Sequence, residues 1–301
     1  MSKSRVAVIG YGHVGKAAVG ALAVAGDMEL AGVIDRADAL AEAQRAHLDV
    51  PVSDRLSDLD DVDAALLCVP SRAVPVLAPD LLRQGVSTVD CFDIHGRALA
   101  DLKEQLGAVA CEAGRVAVTA CGWDPGIDSL IRGLLLAVAP RGLTYTNHGP
   151  GVSLGHSVAA RAVPGIRDAM SVTVPLGSGL HRRVVYVVLE PGVSLVEAAE
   201  RLRKDDYFSH DELQVIEVPD LRDLMDVGHG VVVERKGASG QADNQLFRFE
   251  ARINNPALTA QVMVAGARAA CRLSPGAYTL LDIPVGYLLP CAPGELVRTV
   301  V

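Results

Sequence analysis

The sequence predicts an α/β fold in which a doubly wound parallel sheet is joined to a second, α+β domain. In the first third of the chain, short apolar runs alternate with helical patterns, as a parallel sheet with crossover helices requires. A glycine-rich turn directly follows the first apolar run. Beyond about residue 124, longer strand-like runs follow one another, which is typical of an open, largely antiparallel sheet packed with helices.

The apolar runs and the helical periodicity assign each element. In the first domain we predict strands at 5–10, 28–35, 64–69, 86–92 and 116–121, and helices at 14–25, 37–47, 74–84 and 97–113. In the second we predict strands at 171–176, 182–190, 229–236 and 245–253, with helices at 126–138 and 194–203. A last helix at 254–273 would be capped by Asn255, with Pro256 in its first turn. The predicted domains are residues 1–123, rejoined by 256–301, and residues 124–255.

The composition argues against several classes of function. A formal charge of −8 lacks the clustered Lys and Arg of a nucleic-acid-binding protein. Six cysteines without a C-x-x-C pair favour neither a zinc site nor a disulfide framework, so we expect no metal and reduced, mostly buried thiols. The opening residues show no signal-peptide core, and no run approaches the roughly 18 apolar residues of a membrane span. We therefore expect a cytoplasmic protein that acts on a small molecule.

The segment Gly10-Tyr11-Gly12-His13-Val14-Gly15 has the G-x-G-x-x-G pattern between a strand and a helix. Glycines there permit a tight turn and close approach of the backbone, while the helix N-terminus offers N–H groups to a pyrophosphate. The strand–loop–helix context makes the pattern specific for a Rossmann dinucleotide site. A glycine turn without a ligand is the alternative.

Two adjacent residues at the end of the second strand favour different coenzymes. Asp35 is placed to bind the ribose 2′-hydroxyl of NAD, whereas Arg36 is placed to bind the 2′-phosphate of NADP. Asp35 as a helix N-cap and Arg36 as a solvated charge are the structural alternatives.

Ligands of an open parallel sheet bind outside the carboxyl ends of its strands. Residues just beyond the predicted strand ends should therefore line one crevice; they are Gly10, Asp35, Pro70 with Ser71, Asp93, and Trp123 with Asp124. Asp93 and Asp124 place two carboxylates near the coenzyme, which suits a cationic substrate group. Structural alternatives exist for each: Asp124 before Pro125 as an N-cap, Asp93 in an Asx-turn, and Trp123 as a core residue.

The sequence resembles the meso-diaminopimelate dehydrogenases, in particular their shorter bacterial form. The resemblance rests on VAVIGYGHVG, LLCVPSRAVP, VDCFDIHG, GWDPGIDSLIR, YTNHGPGVSLGHS, VPGIRDAMSVTVP, MDVGHGVVVERKG and FRFEARINNPALTAQVM, in this order. It implies reversible oxidative deamination at the D-configured carbon of meso-2,6-diaminopimelate, with NADP as acceptor. It also implies a homodimer built largely through the second domain.

The resemblance also implies roles for individual residues. Asp93 and Asp124 would bind the ammonium group at the reacting carbon, and Trp123 would form a wall of the pocket. The far carboxylate and amine would be bound by Thr173, Arg183, His229 and Asn255, with His148, Leu154 and Gly155 beside them. The coenzyme would be held by Gly10, Tyr11, Gly12, His13, Val14, Gly15, Asp35, Arg36, Pro70 and Ser71.

The chain departs from its relatives at some of these positions. Relatives usually carry two basic residues where this chain has Asp35 and Arg36, so NAD is the alternative coenzyme. His148 and Leu154 replace an aromatic residue and a methionine, which indicates broader substrate use. The competing hypotheses are an amine dehydrogenase for other D-amino acids or diamino acids, and a nicotinamide-sensing regulator without turnover.

Overall fold

The computed structural model describes residues 3–37, 39–45, 48–224, 229–291 and 293–301. The chain forms two compact units, unit 1 (Met1–Ile131 with Pro256–Val301) and unit 2 (Arg132–Asn255). The first boundary therefore follows residue 131, within a helix that begins at Ile127, whereas the sequence placed it at residue 124.

The elements are numbered along the chain. The strands are β1 (Ser4–Ile9), β2 (Met28–Ile34), β3 (Val52–Ser53), β4 (Ala64–Leu67), β5 (Ser87–Asp90), β6 (Val116–Val118), β7 (Arg141–His148), β8 (Gly151–Ser153), β9 (Ile166–Gly177), β10 (Leu180–Leu189), β11 (Glu212–Glu217), β12 (His229–Ser239), β13 (Ala242–Ile253) and β14 (Gly276–Tyr278). The helices are α1 (His13–Ala23), α2 (Leu40–Arg45), α3 (Val74–Arg83), α4 (Arg97–Ala113), α5 (Ile127–Val138), α6 (Leu154–Arg161), α7 (Leu195–Lys204), α8 (Asn255–Ala270), α9 (Val285–Leu288) and α10 (Pro293–Val300).

Unit 1 is built on a seven-stranded sheet in the order β14-β6-β5-β4-β1-β2-β3, with every neighbouring pair parallel. The five predicted strands of the first domain are all present. β3 and β14 were not predicted, because two or three residues are too short to form a recognisable apolar run. Since all strands run the same way, their carboxyl ends lie along one edge of the sheet.

Helices cover both faces of this sheet, which confirms the doubly wound prediction. Val6 and Val8 of β1 belong to one buried cluster, together with Met263 of α8. Ala7 and Ile9, which point the other way, belong to a second cluster with α3 and α4. The predicted helix at 37–47 corresponds to α2, while residues 38, 46 and 47 lie outside the described residues.

Unit 2 contains two sheets, so the prediction of one open sheet was wrong. One sheet has the order β11-β10-β9-β8 and the other has the order β13-β12-β7. The long β9–β10 hairpin pairs with β8 and β11, and the long β12–β13 hairpin pairs with β7. β10 and β11 pair in parallel. The α+β class is confirmed. α7 begins with the capping box of Ser194 and Glu197 and covers a core that includes Phe208.

The cysteines are free thiols, but the expectation that most are buried was wrong. Cys121 is buried, whereas Cys111, near the end of α4, and Cys271, just after α8, are exposed. Among the residues that the structure describes, no helix combines the length and the apolar character needed to cross a membrane.

Candidate active site

Of the three glycines in the G-x-G-x-x-G segment, only Gly12 leaves room for a ligand. Gly10 has φ +92°, and a Cβ there would lie 2.5 Å from the carbonyl oxygen of Cys68. A Cβ on Gly15 would lie 1.9 Å from the carbonyl oxygen of Gly10. A Cβ on Gly12 would meet no described heavy atom within 4 Å. Gly10 and Gly15 therefore shape the turn, and Gly12 leaves its outer surface open.

This opening lies at the N-terminus of α1, where Gly12 is the cap residue and provides no side-chain hydrogen bond. The first turn of α1 carries no acidic residue. N–H groups and the positive end of the helix dipole therefore face the open side of the loop. These features fit the pyrophosphate of a dinucleotide.

Asp35 follows β2 and is tied to this loop. Its Oδ2 accepts the N–H of Tyr11 at 2.8 Å, and its Oδ1 accepts the N–H of Arg36 at 2.8 Å. The alternative of a helix N-cap was wrong, because α2 begins only at Leu40. Arg36 is exposed at the same sheet edge. Asp35 thus holds the glycine loop in place, and Arg36 lies exposed next to it.

Asp93 follows β5 and is held by the segment after β4. The hydroxyl of Ser71 donates to Asp93 Oδ1 at 2.6 Å, and the backbone N–H of Asp93 donates to the same hydroxyl at 3.0 Å. Ser71 opens a short 3-10 turn for which Pro70 is the cap residue. Ser71, which is predicted to bind the coenzyme, is therefore hydrogen-bonded to Asp93, which is predicted to be catalytic.

Trp123 and Asp124 lie in a turn after β6. The Asp124–Pro125 peptide is cis, and α5 begins two residues later at Ile127. The prediction that Asp124 caps this helix, with Pro125 in its first turn, was wrong. Carbonyl oxygens of Gly122 and Trp123 accept the N–H groups of Ile127 and Asp128 instead, so the backbone caps the helix. Trp123 is 5% exposed, while Asp124 is partly exposed.

In unit 2, Arg183 and Thr173 face each other on β10 and β9. Nη1 of Arg183 donates to Oγ1 of Thr173. Nε of Arg183 donates to Asp211 Oδ2 at 2.8 Å, and the two charged side chains are only 12% and 16% exposed. The guanidinium is therefore fixed in a largely buried position on two sides.

Asp211 is a residue that sequence reasoning missed. Two histidines also reach it, His156 Nε2 at 3.6 Å and His181 Nε2 at 3.4 Å. Burial favours the neutral carboxyl, but the nearby His156 ring and the hydrogen bond and charge of Arg183 outweigh it and hold the pKa of Asp211 at about 2. The carboxylate is thus charged at neutral pH, and it offsets the positive charge of Arg183.

His148, at the end of β7, lies beside two other histidines of unit 2. Its ring centroid is 6.3 Å from that of His229 and 6.5 Å from that of His181. The loop after His148 requires glycine, because Gly149 has φ +98° and its Cβ would lie 2.2 Å from the carbonyl oxygen of Thr173. This loop therefore brings His148 next to the strand that carries Thr173.

The remaining predicted substrate residues begin helices. Leu154 and Gly155 are the first residues of α6, whose preceding residue Ser153 bonds to His156 Nδ1 at 2.9 Å. Asn255 is the first residue of α8 rather than the residue before it. The structure therefore links Thr173, Arg183 and Asp211 by hydrogen bonds in unit 2, and Ser71 and Asp93 in unit 1.

The open glycine loop, the uncapped helix and the acidic residue after β2 define a nicotinamide-dependent oxidoreductase of the Rossmann type. In agreement, residues 4–91 match the family described as "Oxidoreductase family, NAD-binding Rossmann fold". Residues 122–182 match the family described as "Diaminopimelic acid dehydrogenase C-terminal domain".

Relatives that align over nearly the whole chain identify the family more closely. The chain is 49% identical to the meso-diaminopimelate D-dehydrogenase of Bacteroides fragilis, with 96% of each chain covered. Its structure is similar to that of the Corynebacterium glutamicum diaminopimelate dehydrogenase in complex with diaminopimelate, at a TM-score of 0.89, 30% identity and complete coverage of both chains. It is also similar to an engineered D-amino acid dehydrogenase bound to NADP+, at a TM-score of 0.86 and 29% identity, with 100% of both chains covered. The chain belongs to the meso-diaminopimelate dehydrogenase family.

Proposed function

We propose that the chain catalyses the reversible, NADP-dependent oxidative deamination of meso-2,6-diaminopimelate at its D-configured carbon, giving L-2-amino-6-oxopimelate and ammonia. The observation that carries this proposal is the near-complete alignment with the Bacteroides fragilis enzyme at 49% identity. The carboxylates at the sheet edge and the buried arginine of unit 2 support it chemically.

Asp93 and Asp124 act on the amino group that leaves. An ammonium nitrogen has no lone pair with which to form a C=N bond as the hydride leaves the adjacent carbon. The group must therefore first become a neutral amine. In the proposal Asp124, with Asp93, binds this ammonium, orients it and accepts its proton. Ser71 holds Asp93 through two hydrogen bonds, which fixes the carboxylate relative to the segment after β4. This arrangement aligns the substrate more than it activates it.

The loop of Gly10, Gly12 and Gly15 would hold a nicotinamide coenzyme, which would supply an acceptor for the hydride of the reacting carbon. The substrate then carries a C=N bond, water adds to that carbon, and the C–N bond breaks to release ammonia. Trp123 is buried in the turn beside Asp124 and excludes bulk water from this end of the substrate.

Arg183 and Thr173 bind the far carboxylate of the substrate, with His148, His229 and Asn255 around the far end. A planar guanidinium suits a carboxylate because it donates two parallel hydrogen bonds. Replacing Arg183 with Lys should raise KM for meso-diaminopimelate by about tenfold while leaving coenzyme affinity unchanged. An unchanged KM would contradict this role.

NADP is the proposed coenzyme, with NAD as the weaker alternative. Both oxygens of Asp35 already accept backbone N–H groups, and Arg36 is exposed next to them. The exposed guanidinium of Arg36 supports a 2′-phosphate there, while a 2′-hydroxyl bound by Asp35 is the NAD alternative. Replacing Arg36 with Ala should therefore weaken NADP binding and leave NAD binding within about threefold.

A homodimer through unit 2 is also proposed. Leu143 of β7 and Leu246 of β13 flank Lys236 on one face of their sheet, and they are 63% and 64% exposed. Exposed apolar side chains on the same face of this sheet support an interface there. A cytoplasmic location stays a prediction of the sequence.

The proton-accepting role of Asp124 has a direct test. Asp124→Ala should reduce turnover of meso-diaminopimelate by about 100-fold or more, with NADPH affinity within about threefold of wild type. Asp101→Ala, which removes a 66% exposed carboxylate on α4, is the matched control and should keep full turnover. Near-wild-type turnover in the Asp124 variant would exclude it from the chemistry.

A second candidate activity is the oxidation of simpler D-amino acids. Its support is the Asp211 carboxylate, which accepts a hydrogen bond from Nε of Arg183 and offsets the arginine's charge. A distal substrate carboxylate therefore gains less binding free energy here than it would at an unpaired arginine. A screen of D-amino acids lacking a distal carboxylate tests it. Rates at background for all of them would exclude this activity.

A further inference from the structure

Asp90, the last residue of β5, is a buried carboxylate to which the proposed chemistry assigns no role. Its side chain is 0% exposed, so it cannot touch substrate or coenzyme. A buried carboxylate is costly unless hydrogen bonds compensate it. Its position at the carboxyl end of the sheet places it directly behind the segments that carry Asp93 and Asp124.

One oxygen of Asp90 receives hydrogen bonds from both segments. Oδ1 accepts the N–H of Phe92 at 3.0 Å, immediately before Asp93. The same Oδ1 accepts the hydroxyl of Thr119 at 2.9 Å and the N–H of Ala120 at 3.2 Å, on the segment that leads to Asp124. A single atom therefore ties together the chain that follows β5 and the chain that follows β6.

The segment after β6 needs this support because its backbone is unusual. Ala120 has φ +53°, a left-handed conformation that is unfavourable for a residue with a Cβ. The side chain of Asp90 bonds to the N–H of Ala120, and the carbonyl oxygen of Asp90 accepts the N–H of Cys121 at 2.7 Å. Both bonds favour the turn that directs the chain toward Trp123.

The second oxygen, Oδ2, has no hydrogen-bond partner among the described residues. Burial raises the pKa of Asp90 to about 6, against the hydrogen bonds at Oδ1. The neighbouring donors therefore depend on Oδ1 as a hydrogen-bond acceptor. An asparagine keeps that acceptor and loses the charge, whereas an alanine loses both.

We propose that Asp90 is a positioning residue that fixes the relative placement of Asp93 and the Trp123–Asp124 turn through Oδ1. This inference rests on the proposed function for its catalytic consequence. A displacement of catalytic groups by about 1 Å can cost about 100-fold in rate. Asp90 thus acts on the reaction through two other carboxylates without contacting the substrate.

The test compares Asp90→Ala with Asp90→Asn in the full chain. Asp90→Ala should lower kcat on meso-diaminopimelate by about 100-fold while KM and NADPH affinity change by less than about threefold. Asp90→Asn should restore kcat to within about tenfold of wild type, because it keeps the Oδ1 acceptor. The matched control is Thr88→Val on the same strand, where the buried hydroxyl has no described hydrogen-bond partner; it should leave kcat unchanged.

A spectroscopic readout is independent of turnover. Trp123 is the single tryptophan of the chain and is 5% exposed, so its fluorescence reports the position of this turn. Asp90→Ala should shift the emission to longer wavelength and increase quenching by acrylamide, whereas Asp90→Asn and Thr88→Val should match wild type. If Asp90→Ala does not fold, Thr119→Val removes one donor and should produce the same shifts to a smaller extent.

The outcomes separate the two proposals. An Asp90→Ala variant with wild-type kcat and emission, or an Asp90→Asn variant as impaired as Asp90→Ala, would overturn the positioning role. Absence of turnover in the wild type would overturn the proposed function alone, because the Trp123 emission would still report whether Asp90 holds the turn.

Discussion

The glycine loop offers the sharpest test of the coenzyme site, because identical substitutions at neighbouring glycines should have different consequences. At Gly12 the backbone has φ −73° and ψ −162°, which any residue adopts, and a Cβ meets no described heavy atom within 4 Å. At Gly15 a Cβ would lie 1.9 Å from the carbonyl oxygen of Gly10. Gly12→Ala should therefore affect the ligand, and Gly15→Ala should affect the fold.

The magnitudes follow from these contacts. Alanine at an N-cap costs about 0.5–1 kcal/mol relative to glycine. Alanine also lowers the conformational entropy of the unfolded chain, which stabilises the folded state by a similar amount, so Gly12→Ala should leave the free energy of unfolding nearly unchanged. Its methyl group would keep the pyrophosphate from the loop. Loss of two hydrogen bonds to a charged group, each about 1.5–3 kcal/mol, weakens binding by about 100-fold or more.

Gly15→Ala forces the backbone of Gly10 to move, at a cost of about 3 kcal/mol or more and a fall in Tm of roughly 6–12 °C. Gly20→Ala in the same helix is the matched control, because a Cβ there also meets no described heavy atom within 4 Å. Since it removes a glycine from a helix interior, it should stabilise the protein by about 0.5–1 kcal/mol and leave coenzyme binding intact.

The assay combines thermal unfolding without coenzyme and titration of NADPH fluorescence for each variant. An NADPH Kd for Gly12→Ala within about threefold of wild type would show that the pyrophosphate does not approach this loop. A Tm for Gly15→Ala equal to that of wild type would refute the packing argument.

Two further predictions concern unit 2. Asp211→Asn should lower the free energy of unfolding by about 1 kcal/mol at pH 7, after allowance for solvent screening. Because the folded pKa of about 2 lies below the ordinary 3.8, this difference is present above pH 3.8 and should shrink as the pH falls toward 2; urea unfolding at several pH values measures it, and a constant difference would contradict the assignment. Arg235 is 2% exposed and donates to the carbonyl oxygens of Ala139 and Pro140 and to the hydroxyl of Thr144. Arg235→Ala should cost about 3–5 kcal/mol in urea unfolding at pH 7, with less than about 1 kcal/mol contradicting its structural role.

The sheet of unit 1 and the edge at which its strands end could be predicted because its strands are buried on both faces. β1 and β4 are therefore nearly continuous apolar runs, and each one ends abruptly. A residue just past such an end, such as Asp93, is located by the strand alone. This is why the glycine loop and both carboxylates could be placed just beyond the ends of their strands without coordinates.

Features that depend on pairing between distant segments could not be predicted. Asp211 meets Arg183 across 28 residues because β10 and β11 pair in parallel, and nothing around Asp211 in the sequence marks it as a partner. The turn at Asp124 was misassigned for another reason. Asp followed by Pro is common both at a helix start and in a turn, and only the backbone hydrogen bonds of Ile127 and Asp128 distinguish the two.

The most direct test of the central claim is the initial rate of coenzyme reduction by the purified protein on meso-diaminopimelate, measured in parallel with NADP and NAD. We expect a rate with NADP that exceeds the rate with NAD, together with release of ammonia equal to the coenzyme reduced. Tight binding of NADPH without a rate on meso-diaminopimelate with either coenzyme would contradict the proposed function.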